Sequence, residues 1–371
     1  MAQTQSIPER LIGYTEFRTD LPGGQSTNWY TERAYVVRAD GSGRRELAPQ
    51  LVAEPDTWTQ FAGWSPDGRQ AIIYSVWESR ENAAWEKEHR QFRMTPGNWL
   101  LDSCLVDIAT GEVTNLTAVE RVSAYNTGLF FWPKDPTRMG FTAHINDEDR
   151  PFAMRSDGTG KHDLSDKPGF TYGFSASPDG ARIAYHQNYQ IFLADADGGN
   201  AVKLETGHPF NFVPLWSPDG QWVEFLSGVH PNSDPHLVRR DGAGLRKLAD
   251  RGGHGGVQCL DEPDFHSGSS DLPCWSPDSH WIYYTAKVGE AVELMRVSLD
   301  GAIEQLTRSK PGVLHYHPQV SPDGQWVVFG STLDGVRQLY VARADGSAVH
   351  AITALTAGHA AMWAHWQLVA K

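Results

Sequence analysis

The sequence predicts an all-β fold, a seven-bladed β-propeller of four-stranded antiparallel blades that takes up residues 1–371 as a single domain. Three observations predict it. A turn, Trp64-Ser-Pro-Asp-Gly68, returns at Ser177-Pro-Asp-Gly180, Trp216-Ser-Pro-Asp-Gly220, Trp275-Ser-Pro-Asp-Ser279 and Ser321-Pro-Asp-Gly324, with a degenerate copy at Trp132-Pro-Lys-Asp-Pro136. A short β-rich run follows each copy, and the two ends of the chain are complementary fragments of one such unit. Repeats of about 40 to 50 residues holding four short strands have the period of propeller blades.

Each element follows in order. The turn itself needs Pro preset at its second position and Gly for positive φ, so it is scaffold rather than chemistry. After it come second strands such as Gln70-Ala-Ile-Ile-Tyr-Ser75 and Trp326-Val-Val-Phe-Gly330, then third strands such as Gln338-Leu-Tyr-Val341. An Asp-Gly turn (Asp157-Gly158, Asp197-Gly198, Asp241-Gly242, Asp300-Gly301, Asp345-Gly346) leads into a short fourth strand. The N-terminal segment supplies only strands two to four, at 11–15, 33–37 and 45–47, and Ala361–Gln367 reads as the missing innermost strand. Pairing the ends makes seven blades and leaves no open sheet edge.

Composition narrows the partners. A net charge of -13 with no Lys/Arg cluster lacks the footprint that a nucleic-acid backbone requires. No apolar run approaches the roughly 18 residues of a membrane helix, and the first ten residues have no basic or apolar leader pattern, so a soluble cytoplasmic protein is expected. Cys104, Cys259 and Cys274 show neither paired nor zinc-type spacing and read as buried thiols.

Both turns of a blade lie on one face, and the opposite face receives the loops between strands two and three and between blades. The long ones are 18–32, 78–99, 145–150, 228–236 and 249–271, which makes that face the functional one. Residues 78–93 are rich in helix formers and predict a helical insertion, with Trp85, His89 and Phe92 as an aromatic stripe that packs it on its own blade. Gly252-Gly-His-Gly-Gly256 follows no clear strand and is a poor phosphate loop.

Six residues before the turn serine stand Thr59, Thr127, Thr171, Asn211, Ser270 and His315, all polar; two further on stand Phe61, Leu129, Gly173, Val213, Leu272 and His317. Strand alternation then gives a polar ring at the channel mouth above an apolar one, broken where His317 replaces an apolar residue. Hydration of a channel explains threonines but not two histidines on one strand face. His208, His266 and His359 fall in the equivalent inter-blade segments and are expected to converge on His315 and His317, a constellation suited to a transition metal or to acid–base work. Asp271 is the natural carboxylate partner; Trp58, Gln60, Asn126, Tyr172 and Asn211 are expected to line a saccharide site.

The repeated turns resemble those of the TolB-like propellers over essentially the whole chain. Within that group, His315-Tyr-His317-Pro before the last turn is similar to the His-Pro-His-Pro segment of oligogalacturonate lyases. That resemblance implies His315 and His317 as ligands of a divalent metal, typically manganese, with Gly312 standing where the family carries a metal-binding glutamine; His266, from the neighbouring blade, is the third metal ligand expected. It implies β-elimination on a uronate-containing oligosaccharide, with His208 or His359 as the base that removes the C5 proton. The rival expectation is a non-catalytic binding or assembly propeller of the TolB type. A glycoside hydrolase comes third, since no carboxylate pair stands out among the turn aspartates.

Overall fold

The computed structural model describes residues 8–165, 171, 173–229, 232–262, 264–265 and 268–368. Seven four-stranded antiparallel sheets make up the described chain, together with one two-stranded sheet. Blade 1 joins the termini: His359–Trp366 is its innermost strand and pairs antiparallel with Leu11–Arg18, followed outward by Arg33–Arg38 and Arg45–Glu46. Blades 2 to 7 run in chain order and begin at Thr57, Asn126, Phe174, Asn211, Cys274 and His315.

What holds the ring together is a separate apolar cluster at every junction. Ile12, Tyr14, Val328 and Val341 fill the seam between blades 7 and 1, Phe61, Ile73 and Val36 that between blades 1 and 2, and the other five junctions repeat the arrangement. At roughly 25 cal/mol for each Å² of apolar surface withdrawn from water, these seams are the dominant stabilising term. The turn is equally regular. Ser217 Oγ donates to Asp219 Oδ1 at 2.5 Å and accepts from Trp222 N at 3.0 Å, and Ser65, Ser177, Ser276 and Ser321 repeat both bonds.

The loop face differs from expectation in two places. Strands Arg138–Ile145 and Glu148–Arg155 are joined by only Asn146 and Asp147, both at positive φ, and blade 5's second strand runs on to Val229 with the third restarting at Asn232. Strand extension thus consumes what reads as loop. Three long insertions remain. Residues 19–32 hold helix α1 (Gln25–Trp29), residues 79–98 hold helix α2 (Arg80–His89), and residues 249–271 hold the two-stranded sheet Gly256–Gln258 with Gly268–Ser270.

Helix α2 starts where Ser79 Oγ accepts from Asn82 N at 3.1 Å, and stops at Arg90 in the left-handed region. Its buried face is polar rather than aromatic. Asn82 Nδ2 donates to Glu78 and Glu86 at 2.9 Å each, and Glu86 also accepts from Trp99 Nε1 at 3.0 Å. Trp85 and His89 stack on each other at 4.2 Å on the outer side instead of packing the helix down. No helix among the described residues is long and apolar enough to cross a membrane.

Candidate functional site

The site is built from one strand and one insertion. His315–Val320 is the innermost strand of blade 7, and its pairing with blade 7's second strand slips between Tyr316 and Gln319. His317 sits in that bulge at φ +50, so its side chain is re-aimed and the alternation that would put it beside His315 fails. Gly128, Val213 and Trp363 adopt positive φ on the innermost strands of other blades, and Gly173 does so just before blade 4's. The conformation therefore belongs to the scaffold; blade 7 is distinctive in what side chain the bulge carries.

The expected polar ring faces the seams rather than the channel. Thr59, Asn126, Thr171, Asn211 and His315 are all buried. Asn126 Nδ2 donates to the carbonyls of Leu101 and Ser123, and Asn211 Nδ2 to those of Tyr189 and His208, so each staples its strand to the preceding segment. In blade 3 the ring position is Asn126 and not Thr127. Trp132 N, bonded to Arg138 O, takes the backbone place of the turn serine, because Pro133 has no N–H with which to do so.

His315 follows the same logic with an imidazole. It is 2% exposed; Nε2 lies 2.8 Å from Ser309 Oγ and 3.6 Å from Glu293 Oε2 of blade 6. Ser309 Oγ donates to that carboxylate at 3.1 Å, so it accepts from Nε2–H, and the proton of the ring is on Nε2. Burial pushes this imidazole down to about 4, against the pull of Glu293. His317 is 7% exposed, with Nε2 at 3.2 Å from the Ser270 carbonyl and 3.1 Å from Ser269 Oγ. A carbonyl only accepts, so here too the proton is on Nε2, and burial again lowers the imidazole. Both Nδ1 atoms are buried with no hydrogen-bond partner among the described residues.

Asp271 ties the insertion to this strand. It is 1% exposed; Oδ1 accepts from His317 N at 2.7 Å, while Oδ2 accepts from the Thr285 hydroxyl and from His254 Nε2 at 3.1 Å, with Arg251 Nη2 at 3.5 Å. Burial alone would raise the Asp271 carboxyl. The His254 hydrogen bond and the Arg251 charge hold it well below the ordinary carboxylate range. Arg251 is 0% exposed and donates to Thr285 O at 2.8 Å and to Thr285 Oγ1 at 3.0 Å. Above His317, Val257, Cys259 and Leu260 of the insertion pack on Phe17, Tyr316, Ala360 and Met362, and Trp363 Nε1 donates to Ser269 Oγ at 2.9 Å.

The remaining expected residues are placed elsewhere. Trp58 is buried among Trp29, Tyr30 and Trp99 and offers no face to a sugar. Asn126 and Asn211 are the seam staples. Gln60 is half-buried on blade 2's innermost strand. His208 Nδ1 bonds within its own loop to Phe210, at 3.1 Å, and His359 Nδ1 lies 3.3 Å from Thr356 Oγ1; neither makes a contact with the His317–Asp271 group. His266 and Tyr172 lie outside the described residues. Sequence reasoning missed His254, Arg251 and Thr285, although the run of glycines around His254 was a signal. It also missed His365, half-buried on blade 1's innermost strand and pushed down to about 4 by burial first and His317 second. The three cysteines are buried, with thiols pushed up to about 12 by burial, which suits inert packing.

Does the donor set fit a metal? Metal-bound histidines characteristically present one bare nitrogen while the other donates to a carboxylate or carbonyl, and a ligating imidazole must be neutral. His317 meets both conditions at Nδ1; His315 is also bare there, but its Nε2 donates to a hydroxyl, Ser309 Oγ. They are two donors only, since the described residues hold no group of three or more His, Cys, Asp or Glu side chains placed as a shell.

No family model matches the chain. It is 30% identical over 161 residues to an uncharacterized protein of Agrobacterium fabrum, covering 42% of this chain and 49% of that one. It is 25% identical over 205 residues to the uncharacterized peptidase YuxL of Bacillus subtilis, covering 42% and 29%. The chain thus spans about half, or less, of the curated relatives it matches. Among solved structures it is similar to an oligogalacturonate lyase in complex with manganese (15% identity, 93% of this chain and 85% of that one, TM-score 0.57). It is also similar to a puromycin hydrolase (15%, 82% and 48%, TM-score 0.54) and to TolB from Acinetobacter baumannii (17%, 80% and 63%, TM-score 0.50). At these identities the likeness is one of fold, and lyases and peptidases both carry it.

Proposed function

We propose that this chain is a metal-dependent lyase that cleaves a uronate-containing oligosaccharide by β-elimination at the mouth of the propeller channel. One observation carries the reading: a buried, neutral imidazole, His317, aimed by the strand bulge, with Nε2 committed to the Ser270 carbonyl and Nδ1 bare among the described residues. His317 would hold the ion through Nδ1, with His266 of the insertion as a further donor, while His315, turned into the seam with blade 6, would support the strand. When bound, a divalent ion such as manganese neutralises the C6 carboxylate of the uronate and makes the C5 proton easier to remove. The chain's own residues do the rest. Glu293, Ser309 and the Ser270 carbonyl fix the two rings, Asp271 fixes the backbone of His317, and the apolar underside of the insertion keeps water from that side of the bulge.

The contact between Ser269 Oγ and His317 Nε2 favours a hydrolase instead, and the puromycin hydrolase likeness gives that reading some weight. Its geometry argues otherwise. A serine nucleophile needs a histidine oriented by a carboxylate through the far ring nitrogen, whereas Asp271 bonds the His317 backbone N–H and Trp363 donates to Ser269.

The test uses the full chain. Incubation with uronate oligosaccharides is expected to release an unsaturated, ultraviolet-absorbing product, and chelation to stop it. His317→Ala is expected to lower bound metal with the fold intact, and His315→Asn, which keeps the kind of staple seen at Asn211, to leave bound metal near the parent's. A protein that takes up no divalent metal and releases no such product would refute the reading.

A further inference from the structure

The proposed elimination needs a group to take the C5 proton, and the structure assigns His254 to that role, a residue of the Gly252–Gly256 run. The inference rests on the lyase reading, and we propose it from geometry. His254 and His317 bond opposite oxygens of one carboxylate, Nε2 of His254 on Oδ2 of Asp271 and the backbone N–H of His317 on Oδ1. The two are therefore one carboxylate apart. Both oxygens of Asp271 already accept, Oδ1 from the His317 N–H and Oδ2 from the Thr285 hydroxyl, so His254 Nε2 donates to it and the lone pair of the neutral ring is on Nδ1. The ring stays 12% exposed where its carboxylate is 0%, so it borders solvent as a proton-transfer group must.

The surrounding chain makes sense as a mount for this ring. Gly252 and Gly253 sit at φ +62 and +79, and a Cβ on Gly252 would come within 2.6 Å of the Lys287 carbonyl. Only glycine fits that path. Backbone bonds from His254 N to Arg251 O, from Lys287 N to Arg251 O and from Asp271 N to Gly255 O tie the loop at three points. Arg251 and Thr285 hold the same oxygen of Asp271, Oδ2, and serve as positioning residues.

In the step, His254 Nδ1 takes the C5 proton, the electron pair of that C–H bond forms the C4=C5 double bond, and the C4–O4 bond breaks. The departing O4 takes a proton from water, and His254 returns its proton to solvent. Atoms and charge balance without an oxidant or reductant.

The experiment compares intact protein with His254→Gln and Asp271→Asn, measuring unsaturated product, bound manganese and the nitrogen-15 signals of the histidine rings. His254→Gln is expected to lower kcat by about 100-fold or more while KM, bound manganese and fold stay as in the parent. The ring signals of the parent are expected to show His254 protonated at Nε2, and Asp271→Asn to lose that preference. If the parent forms product and His254→Gln keeps kcat within about threefold, or if His254 carries its proton on Nδ1, the assignment is overturned while the lyase reading stands. If the parent forms no product from any uronate oligosaccharide, both fall together.

Discussion

The two faces of this propeller are built on opposite plans. On the turn face five serines make the same two hydrogen bonds to the same partners within 0.1 Å of one another. On the loop face the equivalent strand starts carry Thr59, Asn126, Thr171, Asn211 and His315, and a 23-residue segment, 249–271, folds over the junction of blades 1 and 7. Repetition on one face frees the other to vary, because the seams and turns already close the ring. What distinguishes blade 7 is a change of side chain at positions whose backbone is common to other blades.

That contrast predicts unequal consequences for superficially similar aspartates. Asp271→Ala removes one partner from a buried network and leaves Arg251 and His254 without their carboxylate, and such losses cost about 3 to 5 kcal/mol. Asp219→Ala, in an exposed turn, loses hydrogen bonds that water can replace. Chemical denaturation of the two variants checks this. Equal losses would mean that Asp271 is no more embedded than a turn residue.

The same contrast explains what could be read from the sequence. Ser-Pro-Asp-Gly chemistry acts over five residues, so the blades, their number and the closure by Leu11–Arg18 against His359–Trp366 were legible from local signals. The site was legible only in part. His317 stood out because it broke a repeated pattern, and Asp271 because it was the nearest carboxylate. His254 did not, since its partner lies 17 residues away across an insertion whose path no periodicity predicts. The pairing of His315 with His317 on one face failed for a different reason. A bulge shifts the strand by one residue, and alternation cannot detect it in advance.

A middle-sized effect is expected in the seam between blades 5 and 6. Glu224 is buried there, and desolvation pushes its carboxyl up to about 8 although Arg251 pulls the other way. A carboxyl raised in the folded state contributes stability that is complete below its ordinary unfolded value and is lost as pH rises through about 8. The slope for one group is at most about 1.4 kcal/mol per pH unit. Replacing Glu224 by Gln is expected to flatten the decline in stability between about pH 6 and about pH 8, leaving the share owed to Glu32, which burial also raises to about 8. Thermal unfolding across that range measures it. An unchanged pH profile would remove Glu224 from the account.

The smallest effect tests the regularity of the turn face itself. Each of Ser65, Ser177, Ser217, Ser276 and Ser321 is buried, and its hydroxyl accepts from the backbone N–H that opens the second strand. Alanine would leave that N–H without its acceptor and the aspartate without its donor, a loss of about 1 kcal/mol. Because the five sites stand on different blades and share no partner, the losses should be nearly equal and should add within about 0.5 kcal/mol when combined. The instructive site is Ser276, whose turn ends in Ser279 at φ +62 where the other four have glycine at φ +68 to +73. Ser279 Oγ also accepts from Asp219 N of the neighbouring blade at 2.9 Å, which ties two turns together. Ser276→Ala is therefore expected to cost more when Ser279 is also replaced by Gly than the two changes cost apart, and a double-mutant cycle on the denaturant midpoint reads the coupling. Strict additivity there would mean that the turns act one by one, and that the regular face gains nothing from being a ring.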